Sequence, residues 1–170
     1  MIRIGKIVAT HGLAGSVIMT HVVGDSKWVT KGVTLMVEMQ KGSLIPYFID
    51  NVKSANAEEC VLNLEEVDKI DAAKKLVTKH VYVNEDILAG YSKSSPLLWI
   101  GFGVTDVHKG LLGTIDDVMQ SPGQWLGKVI IDGSEVLIPL ITPILKDVNL
   151  RSKRIIVEMP EGLVDMYLGN

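Results

Sequence analysis

The strongest constraint on the fold of this chain is a period-two alternation of apolar and polar residues. Val33, Leu35, Val37 and Met39 fall on one side of an extended segment, with Thr34, Met36, Glu38 and Gln40 on the other. Such a segment can bury one face only by forming a strand. Residues 2–9, 16–23, 44–52, 59–64 and 80–83 read the same way, and so do 102–107, 111–120, 125–132, 135–140 and 154–159 in the second half. Turn signals separate them: His11-Gly12-Leu13-Ala14-Gly15, Lys41-Gly42-Ser43, His108-Lys109-Gly110, Ser121-Pro122-Gly123 and Asp132-Gly133-Ser134. Many short strands at regular spacing predict barrels or sandwiches.

Composition supports a packed β-rich chain. Hydrophobic residues make up 47% of the 170 and aromatic residues only 5%, so Val, Ile, Leu and Met must fill the core. That wealth of β-branched residues favours strands. One segment breaks the rhythm: residues 68–79 place Ile70, Ala73, Leu76 and Val77 on one helical face, with Asp68 as the expected N-cap and Lys74, Lys75 and Lys79 toward the C-terminal end. This is expected to be the one substantial helix, capping a barrel end. The small, polar run Ala89-Gly90-Tyr91-Ser92-Lys93-Ser94-Ser95-Pro96 reads as a linker. The expected fold is therefore mainly β: two small β-barrel domains, 1–88 and 97–170, joined by a linker at 89–96, with one short helix in the first.

The net charge is −3 and neither half is basic: 10 basic and 11 acidic residues precede residue 91, and 7 and 9 follow. Strong sequence-independent binding of naked nucleic acid is disfavoured. Residues 1–24, however, hold Arg3 and Lys6 and no acid, which leaves a local positive potential. The single cysteine, Cys60, excludes an intrachain disulfide; with no long apolar run, the expectation is a cytoplasmic protein without membrane association.

Few residues form a catalytic pattern. Gly12-Leu13-Ala14-Gly15 has neither the Lys-Ser/Thr pair nor the strand-to-helix setting of a phosphate loop, and reads as a tight strand connection. His11, His21, His80 and His108 show no metal-ligand spacing. Asp116 and Asp117, as strand neighbours, are expected to point to opposite faces, and no nucleophile elbow is present. Neither enzyme, cofactor nor metal is expected. Trp28, Trp99 and Trp125 are core anchors by default, with an interface role as the other reading.

Gly5-Lys6-Ile7-Val8-Ala9-Thr10-His11-Gly12-Leu13-Ala14-Gly15-Ser16-Val17 resembles the opening of the RimM family. Residues 67–83, with Asp71-Ala72-Ala73 and His80-Val81-Tyr82-Val83, are similar to its helix and strand. Leu112-Gly113-Thr114-Ile115-Asp116-Asp117-Val118 is similar to a PRC-barrel motif, and residues 136–141 and 159–165 match the family's closing motifs. The resemblance runs in order through nearly the whole chain.

That resemblance implies a translation-factor-like barrel followed by a PRC barrel, and a monomeric, non-catalytic ribosome assembly factor. Its implied partners are the free small ribosomal subunit, small-subunit ribosomal protein nineteen of the head, and 16S rRNA within the particle. Arg3, Lys6, Thr10, His11, Gly12, Leu13 and Gly15 are the expected contact residues of the first domain. The family's adjacent tyrosines and Trp-x-Asp fall here on Ser94, Ser95, Pro96 and Leu98, so Tyr91 and Trp99 are the candidates to replace that contact. The rival readings are an RNA-acting enzyme, which requires clustered catalytic groups in a pocket, and a PRC-barrel tethering module.

Overall fold

The structure, a computed structural model, describes residues 1–91 and 95–168. The chain divides into two compact units, Met1–Ser94 and Ser95–Asn170.

The first unit is a closed barrel. Its strands are β1 (Ile2–His11), β2 (Ser16–His21), β3 (Thr34–Gln40), β4 (Ser43–Ala55), β5 (Glu59–Leu64) and β6 (His80–Val83), in the order β1-β2-β5-β4-β3-β6. The alternation seen in the sequence decides the faces. Leu35 and Val37 are fully buried, and their neighbours Thr34, Met36 and Glu38 are not. Ile4, Ile7, Met19, Ile49, Leu62 and Val81 complete the interior. Closure leaves no free sheet edge in this unit, which removes the principal hazard of a small β domain.

The helix α1 (Ile70–Lys74) is shorter than the apolar spacing predicts. Lys69 stands at its N-cap in extended conformation without a side-chain cap bond, so Asp68 does not cap it. After Lys74 the backbone bonds tighten to i→i−3 (Lys75 to Ala72, Leu76 to Ala73, Val77 to Lys74), and Thr78, at φ 71°, donates to the Ile7 carbonyl instead of extending the helix. The expected apolar face survives the shortening: Ala73 and Leu76 are buried, and α1 packs against β1 and β2.

The second unit contains β7 (Gly103–Asp106), β8 (Gly110–Ser121), β9 (Gln124–Ile131), β10 (Ser134–Pro139), β11 (Leu145–Asn149) and β12 (Arg154–Val157), in a six-stranded sheet ordered β10-β9-β8-β7-β12-β11. Among the described residues only β12 and β7 pair in parallel. Two elements went unseen in the sequence. In β11 a bulge between Leu145 and Asp147 breaks the period of two, and Val148 alone is buried. Helix α2 (Leu163–Leu168) packs on β10 and is too short to show a 3.6-residue period; it corrects the expectation of a single helix. Asp116 and Asp117 are both exposed, because a bulge between Ile115 and Asp117 interrupts the expected alternation.

The predicted linker does not read as one loop. Residues 89–91 close a 3-10 helix, Glu85–Tyr91; residues 92–94 lie outside the described residues; Pro96 opens a second 3-10 helix, Pro96–Trp99. Among the described residues no helix is long and apolar enough to cross a membrane.

Candidate functional site

The β1–β2 hairpin owes its shape to two glycines with different duties. Gly15 adopts φ +76°, and a Cβ there would lie 2.2 Å from the Val67 carbonyl oxygen, so the turn can press against the β5–α1 connection only without a side chain. Gly5 pairs with His21 across β1–β2, and a Cβ on it would meet the Thr20 carbonyl oxygen at 1.8 Å. Gly12 also has positive φ, +69°, but faces open space, so it needs conformational freedom and no room. The hairpin end is thereby held from below. Above it, His11 and Gly12 are exposed, and Leu13 is 82% exposed. Thr10 pairs with Val17 and is half-buried at the base.

Arg3 and Lys6, the other expected contact residues, do not join this loop. At roughly 3.3 Å per strand residue, Lys6 lies up to about 17 Å along β1 from His11, and Arg3 up to about 26 Å. Both are exposed on the outer face of the barrel, where Lys6 pairs with His80 and Arg3 with Tyr82 across β1–β6. The Tyr82 hydroxyl donates to Glu38 Oε2 at 3.1 Å, and the Gly42 N–H donates to Glu38 Oε1 at 2.9 Å. The Gly42 N–H is the main reason the Glu38 carboxyl sits below its ordinary range. Burial, reinforced by Glu38, raises the Tyr82 phenol. Among the described residues Arg3 and Lys6 form no ion pair. His80 and Tyr82 escaped the sequence reading, because only strand register brings them beside the two cations.

Trp99 requires a correction. Only 1% of it is exposed; it closes the 3-10 helix Pro96–Trp99, and its large apolar ring belongs to the core of the second unit. It offers no surface to a partner. Tyr91 is half-buried at the end of its own 3-10 helix. Ser95, Pro96 and Leu98, at positions where the family carries its aromatic motif, are buried, and Ser94 lies outside the described residues.

The second unit holds a cleft of about 550 Å³ that the sequence did not announce; Asp106, His108, Lys109, Ile144, Lys146 and Glu158 are among its lining residues. Asp106, 2% exposed, is the keystone. Its Oδ1 accepts the N–H groups of His108 and Lys109, and its Oδ2 that of Met159. Burial pushes its pKa up, but the three N–H donors, led by Met159, outweigh burial and bring the carboxyl below its ordinary value. Several other charges around the cleft are matched within the protein. Glu158 binds Lys146 and lies 3.5 Å from His108 Nε2, and Lys109 lies 2.9 Å from Asp165. Among the described residues no group of three or more His, Cys, Asp or Glu is placed to hold a metal ion.

Two family models match the chain in order: the RimM N-terminal domain over residues 2–88 and the RimM PRC barrel domain over residues 99–163. The chain belongs to the RimM family. Among its relatives are proteins named ribosome maturation factor RimM from Parabacteroides distasonis, 28% identical with 96% of this chain and 95% of the relative covered, and from Christiangramia forsetii, 27% identical with 98% and 95% covered. A third, from Ruminiclostridium cellulolyticum, is 28% identical with 95% and 96% covered. A RimM crystal structure from Pseudomonas aeruginosa is 17% identical, with 94% of this chain and 97% of that chain covered and a TM-score of 0.42. The two RimM models leave out residues 89–98, the stretch in which this chain lacks the family's tyrosine pair.

Proposed function

We propose that this chain is a non-catalytic ribosome assembly factor that binds the free small ribosomal subunit and promotes late maturation of 16S rRNA. The observation that carries this reading is the hairpin Thr10–Gly15. The residues of the family motif build a hairpin that is held underneath by Gly15 and presents exposed His11 and Leu13 at its tip. An apolar side chain at 82% exposure on a restrained turn is suited to insertion into a partner surface and contributes nothing to its own core. The relatives' shared name, ribosome maturation factor, supports the same conclusion.

In this reading the protein works by differential binding. It holds an immature conformation of the subunit head, or covers a protein-binding surface there, by binding that state more tightly than the finished one. Small-subunit ribosomal protein nineteen is the proposed head partner, the protein acts as a cytoplasmic monomer, and Leu13 and His11 are the proposed contacts. Sucrose-gradient sedimentation tests the proposal. The chain is expected to co-migrate with free small subunits and to be absent from mature ribosomes, and Leu13→Asp is expected to weaken co-migration about tenfold or more. Co-migration with mature ribosomes alone, or with no particle, overturns it.

A further inference from the structure

Strand register gathers a second surface on the first unit, remote from the hairpin tip. Directly opposed residues on neighbouring strands share a face. Across β4, β3, β6 and β1 this aligns Pro46 with Met36, Met36 with Tyr82, and Tyr82 with Arg3. One row away, Phe48 pairs with Thr34 and is 44% exposed. On the other side of the central row, Lys6 pairs with His80 and both are exposed. All of these lie on the outer face, because the alternating residues Leu35, Val37 and Val81 fill the barrel.

The central row spans three strand spacings, about 14 Å. On that width apolar and aromatic groups stand at the β4–β3 side and unpaired cations at the β1 side. Glu38 lies within the face: Gly42 and Tyr82 donate to its two oxygens, and its charge also acts on Arg3 and His80, which leaves Lys6 the freer of the two cations. Glu59, paired with Thr20, bounds it beyond Lys6.

We infer that this outer face is a platform for a single-stranded RNA segment, whose bases stack on Phe48 and the Met36–Tyr82 row while Arg3 and Lys6 meet its phosphates. The inference rests on the proposed role at the small subunit and names the RNA-facing surface of the first unit. The chemistry favours RNA because aromatic faces and unpaired cations side by side on a sheet are what unpaired nucleotides require, and sheets of this width stack two or three bases. A duplex hides its base faces and would use only the cations. The overall charge of −3 sets the affinity low and makes the local arrangement decisive.

Fluorescence anisotropy of a labelled single-stranded RNA dodecamer, titrated with the full chain, tests this against a duplex of the same sequence. Single-strand binding is expected to be the tighter of the two. Phe48→Ala is expected to weaken it about tenfold without changing its salt dependence, and Phe48→Tyr to restore it. The double variant Arg3→Ala/Lys6→Ala is expected to flatten the slope of log affinity against log salt by about 1.4. Equal affinity for duplex and single strand, no binding by the unaltered chain, or unchanged binding in both variants overturns the platform. Sedimentation with small subunits separates the two proposals. Co-migration without the RNA effects removes the platform and leaves the assembly role, and the RNA effects without co-migration do the reverse.

Discussion

The two units fix their projecting turns by opposite means. In the first unit the β1–β2 turn is set by a missing side chain: Gly15 sits so close to Val67 that only hydrogen fits. In the second, the β7–β8 turn is set by an added one, the buried carboxylate of Asp106, which gathers three backbone N–H groups. The cations near these features also differ, although each unit holds both kinds: Lys31 and Lys74 of the first unit pair with Asp50 and Asp71, and Lys153 and Arg154 of the second form no ion pair among the described residues. Lys109, Lys128 and Lys146 of the second unit each pair with a carboxylate. Arg3 and Lys6 of the first unit have no such partner among the described residues. A lysine neutralised within its own fold gains little from a phosphate, whereas an unpaired one keeps its full attraction. Mutations that exchange these properties test the contrast.

The largest effect is expected at Gly15. Alanine there is strained by φ and blocked by the Val67 carbonyl at once, so Gly15→Ala should cost about 3 kcal/mol of stability. At Gly12 the strain acts alone, and Gly12→Ala should cost about 1 kcal/mol. Urea unfolding followed by circular dichroism checks both. Equal costs at the two positions would show that close packing under the hairpin is not what holds it.

Next comes the carboxylate. Asp106→Asn keeps the shape but replaces one acceptor oxygen by an NH₂ donor, so at least one of the N–H groups of His108, Lys109 and Met159 loses its partner. A loss of about 2 kcal/mol is expected in the same measurement. The lowered pKa adds a sign. Asp106 is stabilising above the ordinary carboxylate value of 3.8, and that contribution is lost as pH falls through its lower folded pKa. The unaltered chain should therefore lose more stability on acidification below pH 3.8 than Asp106→Asn does.

The contrast also explains what could be read in the sequence. Glu59–Leu64 and His80–Val83 were legible as strands to the residue: His80–Val83 shows alternating burial, and Glu59–Leu64 is a short apolar run whose Cys60, Val61 and Leu62 are all buried. β11 was hidden because Lys146 and Asp147 are adjacent, and a bulge turns both outward. In the site, Gly12 and Gly15 could be foreseen as turn residues, because positive φ is a local property. The burial of Trp99 agrees with its default reading as a core anchor, whereas the contact between Gly15 and Val67 and the placement of His80 beside Lys6 could not be foreseen, because each depends on which distant segment lies alongside.

His21 offers a smaller, pH-dependent test inside the first unit. It is buried, its ring meets Trp28 edge-on at 5.3 Å, and its Nε2 lies 3.1 Å from the Asn56 carbonyl oxygen. Burial lowers its pKa below 6.5, against the opposing pull of Asn56 and Glu58. The unfolded chain therefore binds more protons once the pH drops below that value. Its stabilising contribution is present above pH 6.5 and is lost as pH falls through the lower folded pKa. Urea midpoints at about pH 7.5 and about pH 5 should differ in the unaltered chain and converge in His21→Gln. An unchanged difference would assign the acid sensitivity to other groups.

The smallest expected effect is the sharpest test of the charge contrast, because one half of it should be nothing at all. Lys109 already pairs with Asp165 at 2.9 Å in a half-exposed setting, so Lys109→Ala should shift stability by less than about 0.5 kcal/mol. It should also leave the salt dependence of small-subunit binding where it was. Lys6→Glu, which reverses an unpaired cation, should reduce that slope by about 1 and leave stability almost unchanged. Both are read from subunit sedimentation across a salt series, with circular dichroism to confirm folding. If Lys109→Ala flattens the slope as much as Lys6→Glu does, pairing within the fold does not withdraw a lysine from its partner, and pairing fails as a guide to where RNA is met.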